Sequence, residues 1–212
     1  MVDGVDIPCT DGVMIADTVQ IGTGTTILPG TILLGNTTIG KDCLIGPNTY
    51  IMDGTVGNGV TLDNVKLTDS TVEDGADAGP FVQIRGGSVL HTGVHIGDFV
   101  EVKNSTVGAG TKSAHLTYIG DSDVGAGVNF GCGTVTVNYD GKNKSRCKIG
   151  DGAFIGCNTN LVAPVEVGDR AYIAAGSTIT DDIPGDALSI ARARQVNKPG
   201  WVTEKKPYKE KK

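Results

Sequence analysis

The chain has 212 residues, a formal net charge of −6 at pH 7, 32 glycines and only 5% aromatic residues. Its glycine and β-branched content disfavours helix interiors and favours many short strands joined by tight turns. The acidic balance argues against a nucleic-acid partner, which would need a basic surface, and no apolar run is long enough for membrane insertion.

The five cysteines show neither a CxxC motif nor zinc-ligand spacing, and they are Cys9, Cys43, Cys132, Cys147 and Cys157. No charged-then-apolar signal segment precedes them. We therefore expect reduced thiols in a cytoplasmic protein. Residues 1–14 are expected to form an N-terminal arm or linker remnant.

From residue 15 to about residue 183 the chain carries a six-residue repeat of branched aliphatic side chains. A period of six fits neither a helix nor a single amphipathic strand, but it fits a short strand plus a turn. Three such units close a triangular coil, so the sequence predicts an all-β, hexapeptide-repeat parallel β-helix of about nine coils. The ladders are Ile21, Ile27, Leu33, Ile39, Ile45 and Ile51; Ile84, Leu90, Ile96 and Val102; and Ile149, Ile155, Leu161, Val167, Ile173 and Ile179.

The ladder is interrupted at three places. Phase slips near Val56–Val72 and Val102–Val107 indicate missing or extra residues at turns. The largest break lies between Val137 and Ile149, where "NYDGKNKSRCK" is polar and rich in turn-forming residues. A loop extruded from a solenoid is a common place for binding groups, so this segment is interpreted as functional.

After the last ladder position, residues 184–212 are predicted to form a C-terminal arm and a basic tail. Pro184 and Gly185 are expected to end the solenoid. "DALSIARAR" has apolar residues at helical spacing and predicts one or two helical turns. The final "EKKPYKEKK" is interpreted as a solvated terminus.

One histidine, in the stretch "KSAHLTYIG", does not fit the ladder. His115 lies two residues past the ladder position at Ser113, so a stacked core position is not expected. Arg85 and Lys103 are 18 residues apart, about one coil, and are expected to share a face where two cations suit a phosphate. Beside a carboxylate, a neutral histidine makes a general base near neutral pH.

The sequence leaves three other interpretations open. His91, His95 and His115 suggest a zinc site on the same fold, although a four-residue spacing faces one way on a helix and not across a solenoid turn. Cys132 and Cys157 suggest nucleophiles, but both occupy positions at which the repeat requires small residues, which favours a packing role. A non-catalytic solenoid used for assembly is a third possibility.

Several strings occur in an order that goes beyond a generic hexapeptide repeat: "HLTYIGD", "NYDGKNK", "LVAPV", "IAAGSTIT" and "ALSIARARQVNKPGW". With them the chain, from about residue 15 onward, resembles the C-terminal acetyltransferase half of the bifunctional N-acetylglucosamine-1-phosphate uridyltransferase / glucosamine-1-phosphate N-acetyltransferase family. The resemblance implies a left-handed β-helix and a homotrimer with active sites at subunit interfaces.

The resemblance also implies a reaction, namely direct transfer of acetyl from acetyl-CoA to the amine of glucosamine 1-phosphate in a ternary complex. The product, N-acetylglucosamine 1-phosphate, leads to UDP-N-acetylglucosamine for peptidoglycan and lipopolysaccharide precursors. Acetyl-CoA is then a co-substrate, and no cofactor or metal is implied. Magnesium is implied only for the uridyltransferase half, whose activity is not expected from this chain. The chain is expected to be either a separated acetyltransferase half or a single-function protein. Another amino-sugar acceptor is the alternative.

Carried over position by position, the resemblance implies a set of site residues. His115 would be the general base and Glu101 would orient it. For the mechanism, our hypothesis is that backbone or side-chain donors near Asn138 and Tyr139 stabilise the developing oxyanion. The implied catalytic set is His115, Glu101 and Asn138; the sugar-phosphate contacts are Arg85, Lys103, Tyr118, Asn129 and Lys144; and the acetyl-CoA contacts are Cys132, Asn138, Tyr139, Cys157, Ala175 and Arg192. The cysteines depart from the common Ala and Ser of the family, and Gly86 departs from a common Pro.

Overall fold

The computed structural model describes residues 4–205 and 207, and within them the chain winds into a three-sided solenoid. Every strand pairing in the three sheets is parallel, as in the ladder that joins β1 (Met14–Ile15) to β4 (Ile32–Leu34). Successive strands along the chain belong to different sheets, because each coil contributes one strand to each side. The fold is thus an all-β parallel β-helix of about ten coils, of the left-handed hexapeptide type.

The strands are short, and each sheet stacks them in the order in which the coils follow one another. Sheet 1 contains β1 (Met14–Ile15), β4 (Ile32–Leu34), β7 (Tyr50–Met52), β10 (Val65–Thr68), β13 (Val82–Arg85), β16 (Glu101–Lys103), β19 (Tyr118–Gly120), β22 (Val135–Val137), β25 (Asn160–Val162) and β28 (Thr178–Ile179). Sheet 2 contains β2 (Gln20–Ile21), β5 (Thr38–Ile39), β8 (Thr55–Val56), β11 (Thr71–Val72), β14 (Val89–Leu90), β17 (Thr106–Val107), β20 (Ser122–Val124), β23 (Cys147–Ile149) and β26 (Val165–Val167). Sheet 3 contains β3 (Thr26–Ile27), β6 (Leu44–Ile45), β9 (Thr61–Leu62), β12 (Asp77–Ala78), β15 (His95–Asp98), β18 (Lys112–His115), β21 (Asn129–Phe130), β24 (Phe154–Ile155), β27 (Tyr172–Ile173) and β29 (Leu188–Ser189).

The predicted ladder forms the core of the solenoid. All ladder residues except the half-buried Ile21, near the N-terminal end, are buried, and they belong to one continuous apolar cluster. Stacking identical positions from coil to coil buries an aliphatic column that a single coil could not bury alone. Small hydroxyl residues fill the inside of the corners, as where the Thr111 hydroxyl donates to the Gly125 carbonyl at 2.8 Å.

The coil length varies as the interrupted ladder predicts. Val56 pairs with Val72, a step of 16 residues, and Leu90 pairs with Val107, a step of 17 that contains the second slip. One step is much longer, because Ser122 in β20 pairs with Cys147 in β23. The excess chain emerges from the corner between sheets 1 and 2, which we call the 1–2 corner. The predicted loop between Val137 and Ile149 is therefore confirmed.

The C-terminal segment differs from the sequence prediction. The spacing in "DALSIARAR" predicts a helix, but Leu188–Ser189 forms strand β29 and pairs with β27. The open edge of the preceding coil supplies backbone partners, and this long-range pairing overrides the local helical spacing. A short helix, α1 (Trp201–Lys205), follows further on. The tail residues 206 and 208–212 lie outside the described residues.

Backbone pairing also extends beyond the predicted boundaries of the repeat. Asp6 pairs with Thr26, ahead of residue 15, and Ile183 pairs with Val167. Beyond Ile183, β29 adds a further strand to sheet 3. The division into residues 1–14, 15–183 and 184–212 stays a prediction. Within the described part of the chain, no helix is both long and apolar enough to cross a membrane.

Candidate active site

Two of the predicted phosphate contacts lie side by side on the outer face of sheet 1. Arg85 in β13 pairs with Lys103 in β16, so the expectation from their 18-residue spacing is confirmed. Glu101, on the same face, accepts hydrogen bonds from Arg85 at 2.8 Å to Nε and 2.7 Å to Nη2. The Lys103 ammonium lies 3.7 Å from the Asp121 carboxylate. The Arg85 guanidinium is therefore oriented by its acidic partner, whereas the Lys103 ammonium is near enough to Asp121 for charge attraction but not for a hydrogen bond.

Tyr118 begins β19 and extends along its own strand towards the 1–2 corner. Its hydroxyl accepts a hydrogen bond from the Asn138 side-chain amide at 3.4 Å. The ring passes over Gly120, where an added β-carbon would lie 2.6 Å from Tyr118 Cε1 and closer still to Cζ and the hydroxyl. Because only a residue without a β-carbon leaves this space, Gly120 permits the tyrosine to reach Asn138.

A buried carboxylate that sequence analysis did not identify lies at the centre of this cluster. Asp121 follows β19 at the 1–2 corner with φ 47° and accepts hydrogen bonds from the side-chain amides of Asn104 and Asn138. Burial acts to raise the pKa of the Asp121 carboxyl, yet its net pKa lies below the ordinary value. The amide donors and the charges of Lys103 and Lys144 outweigh burial.

The extruded loop begins at Asn138 and is closed at its base by backbone pairing. Ser145 donates its N–H to the Asn138 carbonyl at 2.9 Å, and Tyr139 forms an antiparallel bridge with Lys144. At the tip, the Asp140 side chain accepts backbone N–H groups at 2.7 Å and 2.6 Å. The loop is thus a small hairpin that places Lys144 within electrostatic reach of the Asp121 carboxylate.

His115 lies at the opposite edge of sheet 1, at the corner that joins sheet 3 to sheet 1, which we call the 3–1 corner. It ends strand β18 and is exposed, whereas Ser113 is buried, so its predicted position outside the core is confirmed. The expected contact with Glu101 is not formed in this chain. Glu101 begins the neighbouring sheet-1 strand β16 and bonds to Arg85 instead. The imidazole is thus open at the surface.

Three of the predicted acetyl-CoA contacts form a column with His115 along the 3–1 corner, in the coils that follow it. Hydrogen bonds fix its register: Gly133 N–H to the Leu116 carbonyl, Asn158 N–H to the Cys132 carbonyl and Gly176 N–H to the Cys157 carbonyl, each at 2.8 Å. Adjacent coils therefore stack four exposed residues in the order His115, Cys132, Cys157 and Ala175. Beyond them, Arg192 Cδ lies 3.6 Å from where a β-carbon on Gly176 would be.

Not all predicted residues join these two groups. Asn129 lies exposed on sheet 3, where its strand pairs with Lys112 on one side and Phe154 on the other. Tyr139 lies in the loop at the 1–2 corner, and its hydroxyl donates to the Gly141 carbonyl at 2.6 Å. Within one chain, the expected ligand contacts are thus divided among two corners and two sheets.

The three histidines of the zinc interpretation do not come together. His91 Nδ1 lies 3.0 Å from a Glu73 oxygen, and His95 Nδ1 lies 2.6 Å from an Asp77 oxygen. Among residues 4–205 and 207, no group of three or more histidine, cysteine or acidic side chains is arranged to hold a metal ion. The described geometry therefore gives that interpretation no ligand set.

Two models of known families match parts of the repeat. A family model described as bacterial transferase hexapeptide (six repeats) matches residues 146–181, and one described as hexapeptide repeat of succinyl-transferase matches residues 36–64. Among solved structures, LpxA from Acinetobacter baumannii aligns over 96% of this chain and 78% of that chain, with 16% identity and a TM-score of 0.42. A likeness at that score supports no conclusion about function.

Much higher identity is found among curated proteins. Bifunctional protein GlmU of Geobacillus sp. (strain WCH70) is 56% identical over 202 residues, which are 95% of this chain and 44% of that protein. The protein of the same name from Streptococcus agalactiae serotype V is 50% identical over 98% of this chain and 45% of its own length. The chain therefore spans less than half the length of these relatives, and over that span it belongs to the hexapeptide-repeat portion of the bifunctional GlmU family.

Proposed function

We propose that this chain transfers acetyl from acetyl-CoA to the amine of glucosamine 1-phosphate. The observation that carries the proposal is the column of exposed residues from His115 to Ala175, which ends beside Arg192. Three coil steps of about 4.8 Å make this column ~14 Å long. A column with a base at one end and a guanidinium at the other suits an extended ligand with a thioester at one end and phosphates at the other.

The cations on sheet 1 support a phosphorylated acceptor. Arg85 and Lys103 are half-buried neighbours, and the loop brings Lys144 towards the same corner. An arginine fork with two ammonium groups is a strong site for a phosphate monoester. In this proposal Glu101 holds the Arg85 guanidinium for the phosphate, which replaces its expected role of orienting His115.

The chemistry of the transfer follows from the open imidazole. The substrate amine arrives as an ammonium, which has no lone pair for attack. His115 accepts one proton, directly or through water, and the free amine attacks the thioester carbonyl. The C–N bond forms, the C–S bond breaks, and CoA leaves as a thiolate that takes up the second proton, which the attacking nitrogen releases. Because the amine itself attacks, no acetyl-enzyme is required.

The expected ligand contacts are divided between different sides of one chain, and this supports a homotrimer as part of the proposal. Asn129 and Arg85 point outward from different sheets of the prism, so one sugar phosphate cannot touch both within a single chain. The 3–1 corner also exposes Phe81, Phe99 and Leu116 beside His115, each with more than half of its surface exposed, at 59%, 60% and 59%. Such an apolar stripe is typical of an interface, and a second copy packed on it would bring another sheet to the imidazole.

The test is release of CoA from acetyl-CoA and glucosamine 1-phosphate by wild type and by His115→Ala. Removal of a general base is expected to slow turnover by about 10²–10⁴-fold. His95→Ala is the matched control, because His95 pairs with Asp77 away from the column, and it should retain wild-type turnover.

Each outcome separates the interpretations. Turnover by wild type that is lost only in His115→Ala supports both the reaction and the base. CoA release with a different amino sugar, but not with glucosamine 1-phosphate, would contradict the substrate and keep the transferase. A folded trimer that is inactive with every amino sugar would favour the assembly interpretation.

A further inference from the structure

We propose that Asp121 is a positioning residue for the acetyl transfer. Its carboxylate holds the Asn138 side chain in one orientation and partly neutralises the positive charge of Lys103. This inference rests on the proposed function, because it assigns a role within the same site. Its basis is the hydrogen bond from the Asn138 amide to Asp121, together with the 3.7 Å approach of the Lys103 ammonium.

An ionised carboxylate at this position restricts the amide beside it. Asp121 has a lowered pKa and is therefore an anion at neutral pH. A carboxylate anion accepts hydrogen bonds and donates none, so Asn138 must turn its NH₂ group towards it. The second hydrogen of that NH₂ group is directed at the Tyr118 hydroxyl, 3.4 Å away. Both donors of the amide are thereby engaged inside the protein.

The consequence is that Asn138 presents its carbonyl oxygen, an acceptor, to the site. The Asn138 side-chain amide is then not among the backbone or side-chain donors that sequence analysis expects near Asn138 and Tyr139 for the oxyanion. An acceptor instead suits an N–H donor, and the donor that the proposed reaction supplies is the substrate ammonium or amine. In the proposed homotrimer this amine lies between Asn138 of one copy and His115 of another. Asp121 would thus act on the amine through Asn138, without touching it.

The position of Asp121 in the solenoid does not by itself require a buried charge. Asp69 occupies the same 1–2 corner three coils earlier, follows a sheet-1 strand in the same way and has nearly the same backbone conformation, with φ 46° against 47°. Asp69, however, is exposed, whereas Asp121 is 4% exposed and bonded to two amides. Burying a carboxylate is costly unless it is paired and hydrogen-bonded. The turn at this corner therefore does not explain why Asp121 is buried and bonded, and a role in the site does.

The experiment compares Asp121→Asn with Asp69→Asn as the matched control. Asparagine tolerates a positive φ, so both variants keep the corner. The amide introduced by Asp121→Asn can donate as well as accept, and the orientation of Asn138 is then no longer fixed. We expect kcat for glucosamine 1-phosphate to fall by about 10- to 100-fold in Asp121→Asn, and by less than about twofold in Asp69→Asn.

A second readout distinguishes positioning from a general loss of structure. 2-Deoxyglucose 1-phosphate has the phosphate but neither an amine nor a hydroxyl at C2, so its inhibition constant reports the cations and not Asn138. Removal of the negative charge beside Lys103 and Lys144 should lower that constant, whereas partial unfolding cannot tighten binding. In an Asn138→Ala background, Asp121→Asn should lower kcat no further, because the group through which it acts is gone.

The outcomes are separable. A lower kcat with tighter binding of 2-deoxyglucose 1-phosphate and no additional effect in Asn138→Ala supports the inference. An active wild type with kcat in Asp121→Asn equal to that of Asp69→Asn overturns the inference alone. So does a lower kcat with unchanged or weaker inhibition, which indicates a structural role. A wild type that releases no CoA overturns the proposed function, and this inference with it.

Discussion

Adding one methyl group at Gly120 is expected to displace the ring of Tyr118, which passes over this glycine. Gly120 does not adopt a positive φ, so alanine is compatible with its backbone. Its β-carbon would nevertheless lie 2.6 Å from Tyr118 Cε1, where ordinary contact begins at 3.4 Å. The ring must therefore withdraw by roughly 1 Å, a displacement that can cost about 10²-fold when it misplaces a substrate contact.

The assay is kcat/KM for the proposed acetyl transfer in Gly120→Ala, with Tyr118→Phe to isolate the hydroxyl. A double-mutant cycle tests the steric cause: once Tyr118→Ala has removed the ring, Gly120→Ala should have little further effect. The melting temperature of each variant shows whether the fold is retained. Wild-type kcat/KM in Gly120→Ala, or the same loss with and without the ring, would refute the reasoning.

Two further predictions concern thiol reactivity and acid stability. Iodoacetamide should modify the exposed Cys132 and Cys157 but not Cys147, because burial keeps that thiol protonated with a pKa of about 11. Mass spectrometry should show that acetyl-CoA slows labelling of the first two and not of the half-buried Cys9; equal protection at all sites would contradict the column. The lowered pKa of Asp121 means that its contribution to stability is present above the unfolded pKa near 3.9 and is lost as pH falls through the lower folded value. The melting-temperature gap between wild type and Asp121→Asn should therefore be full above about pH 5 and shrink towards about pH 2, and a gap that widens in acid would contradict the assignment.

The solenoid could be predicted from sequence because its determinant is local and repeated. Aliphatic residues spaced six apart all enter the apolar core, so the spacing of the pattern predicts the packing directly. The polar break after Val137 was visible for the same reason. Helical spacing in "DALSIARAR" failed because the partner of Leu188 is in β27, at the open edge of the previous coil, and a window of nine residues contains no information about that edge.

The site was predicted less completely because its geometry depends on coil lengths. Asn104, Asp121 and Asn138 are successive members of one corner column at steps of 17 residues. That relation emerges only when the shortened coils are counted separately from the six-residue ladder. Family resemblance assigns Glu101 to His115, and that role stays a prediction; within this chain the Glu101 carboxylate accepts a hydrogen bond from Arg85. The sequence thus contained the signal for Asp121, in its spacing from two asparagines.

The stacking of coils also gives the two ends of the proposed ligand path different local stabilities. In a solenoid each coil contacts only its neighbours, so terminal coils open more readily than central ones. His115 lies in the interior of the stack, whereas Arg192 directly follows Ala191, whose carbonyl accepts the Thr178 N–H at 3.1 Å in the last paired segment. Fraying of that segment would release the guanidinium and leave the imidazole in place. The phosphate end of the path would therefore be mobile without ligand and become ordered when a ligand binds, while the reacting end stays rigid.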